Sequence, residues 1–203
     1  MTVLCRDEAW LTNGHLIADI ARLGYLRSDW PTLDPTYGEG VFWSVWQPDV
    51  LVAHDIVAAK SPTGESVDFT DMDYEDRSFP AVVFDGPYKL NGTPDEERDY
   101  PYGVDVPATW QERMALLRAG VRECARVCDE NLIVKVQDQV CSSKIRFQTI
   151  AMRDEVLPLG FELRARFDFP SYRAQPGGRV QVNPASVSSQ LLVFTRGWKW
   201  SDQ

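Results

Sequence analysis

Histidine and cysteine are scarce in this chain. Only His15 and His54 occur, beside four cysteines, Cys5, Cys124, Cys128 and Cys141. Cys124 and Cys128 fall one helical turn apart, yet no Cys or His cluster completes a four-ligand zinc site, so no metal is expected. Four cysteines in a chain this large do not form a disulfide framework either, and buried free thiols are the expectation. Long apolar runs are missing, none approaching the ~18 residues that span a bilayer. The first eight residues, Met1 to Glu8, carry neither the basic start nor the apolar centre of a secretory signal. A soluble, cytoplasmic protein with no membrane partner is expected.

Positive charge is thin in the first half. Residues 1–100 hold 7 Lys/Arg against 19 Asp/Glu, and residues 101–203 hold 14 against 11. The formal net charge is −9. Affinity for nucleic acid rests largely on phosphate neutralisation, so avid binding by bulk charge is excluded, while a basic face in the second half is not. The acidic first half is also what a plain solvated surface looks like.

What is present fits one α/β domain over residues 1–203, with 44% hydrophobic and 25% charged residues. Between Asp7 and Leu23, Trp10, Leu11, Ile17, Ile20, Ala21 and Leu23 recur at helical spacing. A short strand at Thr32-Leu33 leads into a glycine loop. Phe42 to Trp46 predicts a helix stopped near Pro48, and Leu51 to Asp55 a buried strand. Ala81 to Phe84 and Leu132 to Val136 read as further buried strands. Thr109 caps an amphipathic helix to Val127 with Met114, Leu117, Val121 and Ala125 on one face. A last helix is expected from Phe147 to Leu157, then strands Phe161–Phe169 and Leu191–Thr195. Residues 89–107, with Asn91-Gly92 and three prolines, and residues 172–189, rich in Gly, Pro, Gln and Arg, are candidate substrate loops. The order implies a doubly wound, mostly parallel sheet closed by an antiparallel C-terminal hairpin. No repeat or linker divides it.

Two short segments carry chemistry. In Asp34-Pro35-Thr36-Tyr37-Gly38-Glu39-Gly40 the glycines let backbone approach a ligand beyond a strand end, without the G-x-G-x-x-G spacing of dinucleotide folds. An ordinary β–α turn would also use them. Asp55, fifteen residues past Gly40, ends the next strand, where a carboxylate can accept from two ribose hydroxyls or simply face water. The second segment is Val82-Val83-Phe84-Asp85-Gly86-Pro87-Tyr88, a buried strand ending in an acceptor, two turn residues and an aromatic. The exocyclic nitrogen of adenine or cytosine is a poor nucleophile because its lone pair is delocalised into the ring. Two acceptors, an Asp oxygen and a backbone carbonyl, can stabilise the charge it develops as a methyl group arrives. An aromatic ring can stack on the extruded base.

The two segments, roughly fifty residues apart, together resemble the S-adenosylmethionine-dependent DNA amino-methyltransferases of the N6-adenine and N4-cytosine type, with their Asp-Pro-Pro-Tyr tetrad. Val134 to Ser142 and Tyr172 to Asn183 resemble segments of small phage and actinobacterial members, so the resemblance runs from about Leu33 to Phe194. It implies a Rossmann-like methyltransferase fold, S-adenosyl-L-methionine as cofactor, and DNA as partner. Adenine N6 is preferred over cytosine N4. It further implies a cofactor site of Asp34, Pro35, Thr36, Gly38, Gly40 and Asp55, with Asp34 near the methionine amine. Asp68 and Phe69 would hold the adenine ring. Asp85, the carbonyl of Gly86, Pro87 and Tyr88 would form the catalytic tetrad. Arg173 and Arg179, on a Gly-rich loop, can touch phosphates or base edges of DNA or simply form a solvated hairpin tip. Gly86 departs from the pattern, since proline is usual there. No insertion is large enough for a recognition domain, which leaves room for a recognition partner protein. The setting would be a bacterial or phage-infected cell. Methylation of RNA or a small amine, and a non-catalytic binding protein on the same fold, are the competing readings.

Overall fold

A computed structural model describes residues 10–90, 109–170 and 188–197. The candidate loops at 91–107 and 172–187, with Arg173, Arg179 and Cys5, lie outside the described residues.

The first helix, α1, spans Asn13–Arg22, capped by Thr12, whose hydroxyl accepts from the His15 N–H. The strands that follow are β1 (Thr32–Asp34), β2 (Leu51–Ala53) and β3 (Phe79–Phe84). Helix α2 (Trp110–Val127) opens with a reciprocal capping box between Thr109 and Glu112 and runs directly into β4 (Cys128–Val136). A small hairpin, β5 (Gln139–Cys141) and β6 (Lys144–Arg146), leads to α3 (Gln148–Val156). The chain closes with β7 (Phe161–Pro170) and β8 (Ser188–Arg196).

Six strands form one sheet in the order β2-β1-β3-β4-β8-β7. The β2-β1-β3-β4 portion is parallel, and β8 runs antiparallel to both β4 and β7. This is the doubly wound, mostly parallel sheet with an antiparallel end that the pattern predicts. From β1 the chain passes outward to β2, then returns to place β3 on the other side of β1. The order therefore reverses between β1 and β3, and ligands in such sheets bind beyond the strand ends at that point.

The central strands are buried on both faces, which is why they read as continuous apolar runs rather than alternating ones. On one face Ala81, Val83, Ile133, Leu191 and Val193 pack with Leu16, Ile17 and Ile20 of α1. On the other, Val82, Phe84, Leu132, Val134, Leu192 and Phe194 pack with Leu117, Val121 and Cys124 of α2 and Met152 of α3. Cys124, Cys128 and Cys141 are free and buried, and burial pushes the Cys124 and Cys128 thiols up.

One expected element is absent. Phe42 to Trp46 forms no α-helix; only a single 3-10 turn, Val41–Trp43, follows the glycine loop. The neighbouring rings of Phe42 and Trp43 are both buried, and the Trp43 indole donates to Asp34 at 2.7 Å. The glycine loop therefore leads into no α-helix N-terminus.

Among the described residues no helix is long and apolar enough to cross a membrane, and no group of three His, Cys, Asp or Glu could hold a metal ion.

Candidate functional site

The two segments singled out in the sequence meet at the reversal point. Asp34 ends β1, and Asp85 follows directly on β3. Thr36 ties them together. Its hydroxyl accepts from the Asp85 backbone N–H at 3.0 Å and donates to Asp34 Oδ1 at 3.3 Å.

Asp34 is 3% exposed. Its Oδ1 also accepts from the Thr36 N–H at 2.9 Å, and its Oδ2 from the Trp43 indole. Burial pushes its pKa up to about 7 against the pull of those donors, and the charge on Asp85 adds to the rise. A carboxylate so placed gains from a nearby cation. Pro35 is buried beside it.

The glycine loop is fixed from the β2 side. The Tyr37 N–H donates to the His54 carbonyl, and the Gly38 N–H to Asp55 Oδ2 at 2.9 Å. Asp55 Oδ1 takes the Val57 N–H at 2.8 Å. Asp55 thus holds the loop with Oδ2 and its own turn with Oδ1, and a ribose would have to use their remaining lone pairs. Gly40 adopts φ +66°, and a Cβ there would stand 2.5 Å from the Tyr37 hydroxyl, so only glycine fits.

Asp68 and Phe69 do not join the site as a pair. Asp68 is exposed and caps a turn by accepting from the Thr70 N–H and hydroxyl. Phe69 is 3% exposed and packs on Phe84 at 5.4 Å between ring centres. Its face belongs to the core rather than to a ligand, because Gly120 of α2 leaves room for both rings.

Asp85 pairs with Lys135 of β4, Nζ to Oδ2 at 2.9 Å. Its other oxygen, Oδ1, is buried and has no hydrogen-bond partner. Burial raises the Asp85 pKa, and the Lys135 charge opposes it. Burial also pulls Lys135 down, but Asp85 and Tyr88 outweigh it and the ammonium is held firmly charged. The Lys135 Nζ lies 5.2 Å from the Tyr88 ring centre and 5.0 Å from that of Phe42. The Gly86 carbonyl accepts from the Tyr88 N–H at 2.7 Å, leaving one lone pair free.

Gly86 has a steric reason to be glycine. A Cβ there would stand 2.4 Å from the tip of the Phe84 ring. The bulky Phe84 fills the space that a proline ring at position 86 would take.

Residues outside either segment hold Tyr88 in place. Its carbonyl accepts from the side-chain amides of Gln139 and Gln148, and the Gln139 amide oxygen accepts from the Leu90 N–H at 3.2 Å. Gln148 is fully buried and also accepts from the Gln137 N–H. Replacing Gln148 with alanine strands these groups, so a stability loss of about 2 kcal/mol is expected. Urea denaturation checks this; an unchanged midpoint would remove Gln148 from the support of the loop.

Sequence reasoning passed over Lys135, Trp43, Gln139 and Gln148 as site residues. Lys135 left a signal, being the one charge inside the buried run Leu132 to Val136, and a buried charge needs a partner. The others left none, since they act through contacts that only folding brings about.

No family model and no curated protein matches the chain. Solved structures do. TrmN from Thermus thermophilus superposes with a TM-score of 0.55 at 14% identity, over 90% of this chain and 48% of TrmN. A methyltransferase of Thermotoga maritima, described as S-adenosylmethionine-dependent, gives 0.54 at 14% identity, over 93% of this chain and 89% of its own. Magnesium protoporphyrin IX methyltransferase (ChlM) from Synechocystis PCC 6803, solved with S-adenosylhomocysteine bound, gives 0.54 at 9% identity, over 91% and 81%. The chain has the Rossmann-like methyltransferase fold. It spans about half the length of TrmN.

Proposed function

We propose that the protein is an S-adenosylmethionine-dependent methyltransferase acting on an exocyclic amino group of a DNA base, adenine N6 in preference to cytosine N4. The observation that carries this reading is the junction at Thr36, which joins the Asp34 loop to the Asp85–Tyr88 segment at the reversal of strand order. A methyl donor and its acceptor must meet head-on, and two segments joined by one hydroxyl can be held in that relation.

The residues present suit the cofactor. Asp34 is a buried carboxylate that a cationic ligand would favour, and the loop glycines let backbone come close. Asp55 fixes the loop, while Phe69 and Asp68 drop out of the expected set. Bound there, S-adenosylmethionine supplies an electrophilic methyl group.

The chain's own residues do the rest. Asp85 Oδ1 and the free lone pair of the Gly86 carbonyl accept the two amino hydrogens, drawing the nitrogen out of conjugation. Tyr88 offers a ring to the base, and Pro87 sets the turn between them. The amino nitrogen held there would accept that methyl group, and its surplus proton would leave afterwards with Asp85 as nearest acceptor. Arg173, Arg179 and a partner protein are the proposed contributors to DNA recognition.

The excess of 19 acidic over 7 basic residues in the first hundred favours a second reading, in which the amine belongs to RNA or a small molecule. Both are tested by offering the protein labelled S-adenosylmethionine with adenine-containing DNA, RNA and free nucleosides, then analysing the nucleosides by mass spectrometry. N6-methyladenine in DNA, lost in Asp85→Ala, is the expected product. Label in RNA or a nucleoside alone would overturn the DNA assignment. Cofactor binding without any transfer would mark a non-catalytic protein.

A further inference from the structure

A carboxylate serves as a hydrogen-bond acceptor on both oxygens only while it is ionised, and burial works against ionisation. Asp85 sits in that conflict. Among the described residues, the titratable groups facing it are Lys135 from β4, Asp34 from the end of β1 and Tyr88 from its own loop. Phe42 beneath the ammonium and Leu191, which pairs with Lys135 on β8, are apolar. Among the described residues, Lys135 is therefore the positive charge placed to offset two neighbouring carboxylates. It is 6% exposed, and of the two Asp85 oxygens it engages Oδ2 while also meeting Tyr88. A buried acceptor left open, as Oδ1 is, is unfavourable unless a ligand fills it.

We infer that Lys135 is the positioning residue of this site: its ammonium keeps the Asp85 carboxylate ionised and occupies Oδ2, reserving Oδ1 for one N–H of the target amine. The identity of that amine rests on the proposed function, whereas the control of Asp85 by Lys135 does not. The arrangement also selects among substrates. A primary exocyclic amine offers one N–H to Oδ1 and one to the Gly86 carbonyl, while a hydroxyl offers only one hydrogen for two acceptors.

The test uses the full chain and the variants Lys135→Met, Lys135→Gln and Lys135→Arg. Glutamine keeps a hydrogen-bond donor but removes the charge, so it separates the two contributions should Met fold poorly. The carboxyl carbon of Asp85, assigned with Asp85→Asn, is titrated by NMR. In Lys135→Met or Lys135→Gln its inflection is expected to rise by about 1–3 pH units, and in Lys135→Arg to stay near the wild-type value. Methyl transfer is followed across pH 6 to 9. The neutral variants are expected to lose at least about tenfold more activity at pH 6.5 than at pH 9, as a carboxylate that protonates too early predicts.

An unmoved Asp85 titration would overturn the inference, as would an equal loss at every pH, which is what a purely structural lysine gives. If the wild-type protein methylates nothing, the proposed function fails, and the NMR titration still decides the role of Lys135.

Discussion

Introducing proline at position 86, which would complete the usual tetrad, is expected to damage this protein. The Cβ alone would lie 2.4 Å from Phe84 Cζ and 2.9 Å from Cε1, with the rest of the ring still to place. Phe84 cannot retreat. It is fully buried, Phe69 packs against it, and a Cβ added at Gly120 would likewise meet it at 2.8 Å. Overpacking of this kind costs about 1–3 kcal/mol, and the displaced loop carries Tyr88 with it. Gly86→Pro should therefore lower the thermal midpoint, and displacing Tyr88 and the Gly86 carbonyl should cut methyl transfer at least about tenfold, equivalent to about 1.4 kcal/mol of lost transition-state stabilisation. Pairing it with Phe84→Val, which suits a strand end and clears the ring, should recover much of the loss. Phe84 and Gly86 behave as one exchanged pair of sizes. A gain of activity in Gly86→Pro with no fall in midpoint would sink that account and mark Gly86 as a defect.

The second large effect concerns Asp34 and pH. Its pKa of about 7 in the free protein means that half of the molecules carry no charge there near neutrality. A cationic ligand beside it binds the ionised form, so affinity for S-adenosylmethionine should climb as pH rises through about 7 and level off above. Below that point it should fall about tenfold per unit, with a proton released on binding. Folding shows the opposite trend. The folded pKa exceeds the unfolded one, so the associated stability is complete below about pH 4 and is lost as pH rises through about 7. At most about 4 kcal/mol is involved. The cofactor should restore it. Calorimetric titration at pH 6, 7 and 8, in two buffers of different ionisation enthalpy, reads both affinity and proton release. Asp34→Ala should abolish micromolar binding. Affinity that is flat from pH 6 to 8 would show that Asp34 does not meet the cation.

Strands β3, β4 and β8 were legible because a strand buried on both faces must be a continuous apolar run, and Thr109 announced α2 through its cap. The glycine loop and the Asp85 segment were legible because acceptors, glycines and turn residues keep fixed local spacing. The Phe42–Trp46 helix was misjudged, because an apolar stretch has the same pattern whether it winds or is pinned by one indole to Asp34. Phe69 was misplaced for a related reason: an aromatic beside an acid looks the same in a ligand site and in a core.

The sequence by itself determined the doubly wound order of elements, the two segments at the ends of β1 and β3, and a charge at Lys135 that had to find a partner. Only the tertiary structure decided which partner. It set Thr36 between two carboxylates, closed Gln139 and Gln148 over the Tyr88 carbonyl, and traded Gly86 against Phe84. The physical reason is separation along the chain. Thr36 lies 49 residues from Asp85, Asp85 50 from Lys135 and Tyr88 60 from Gln148. Spacing within a strand or a helix turn fixes local form, but nothing local fixes which strand ends become neighbours. Packing does that, and it assembles the site from side chains that no local pattern joins.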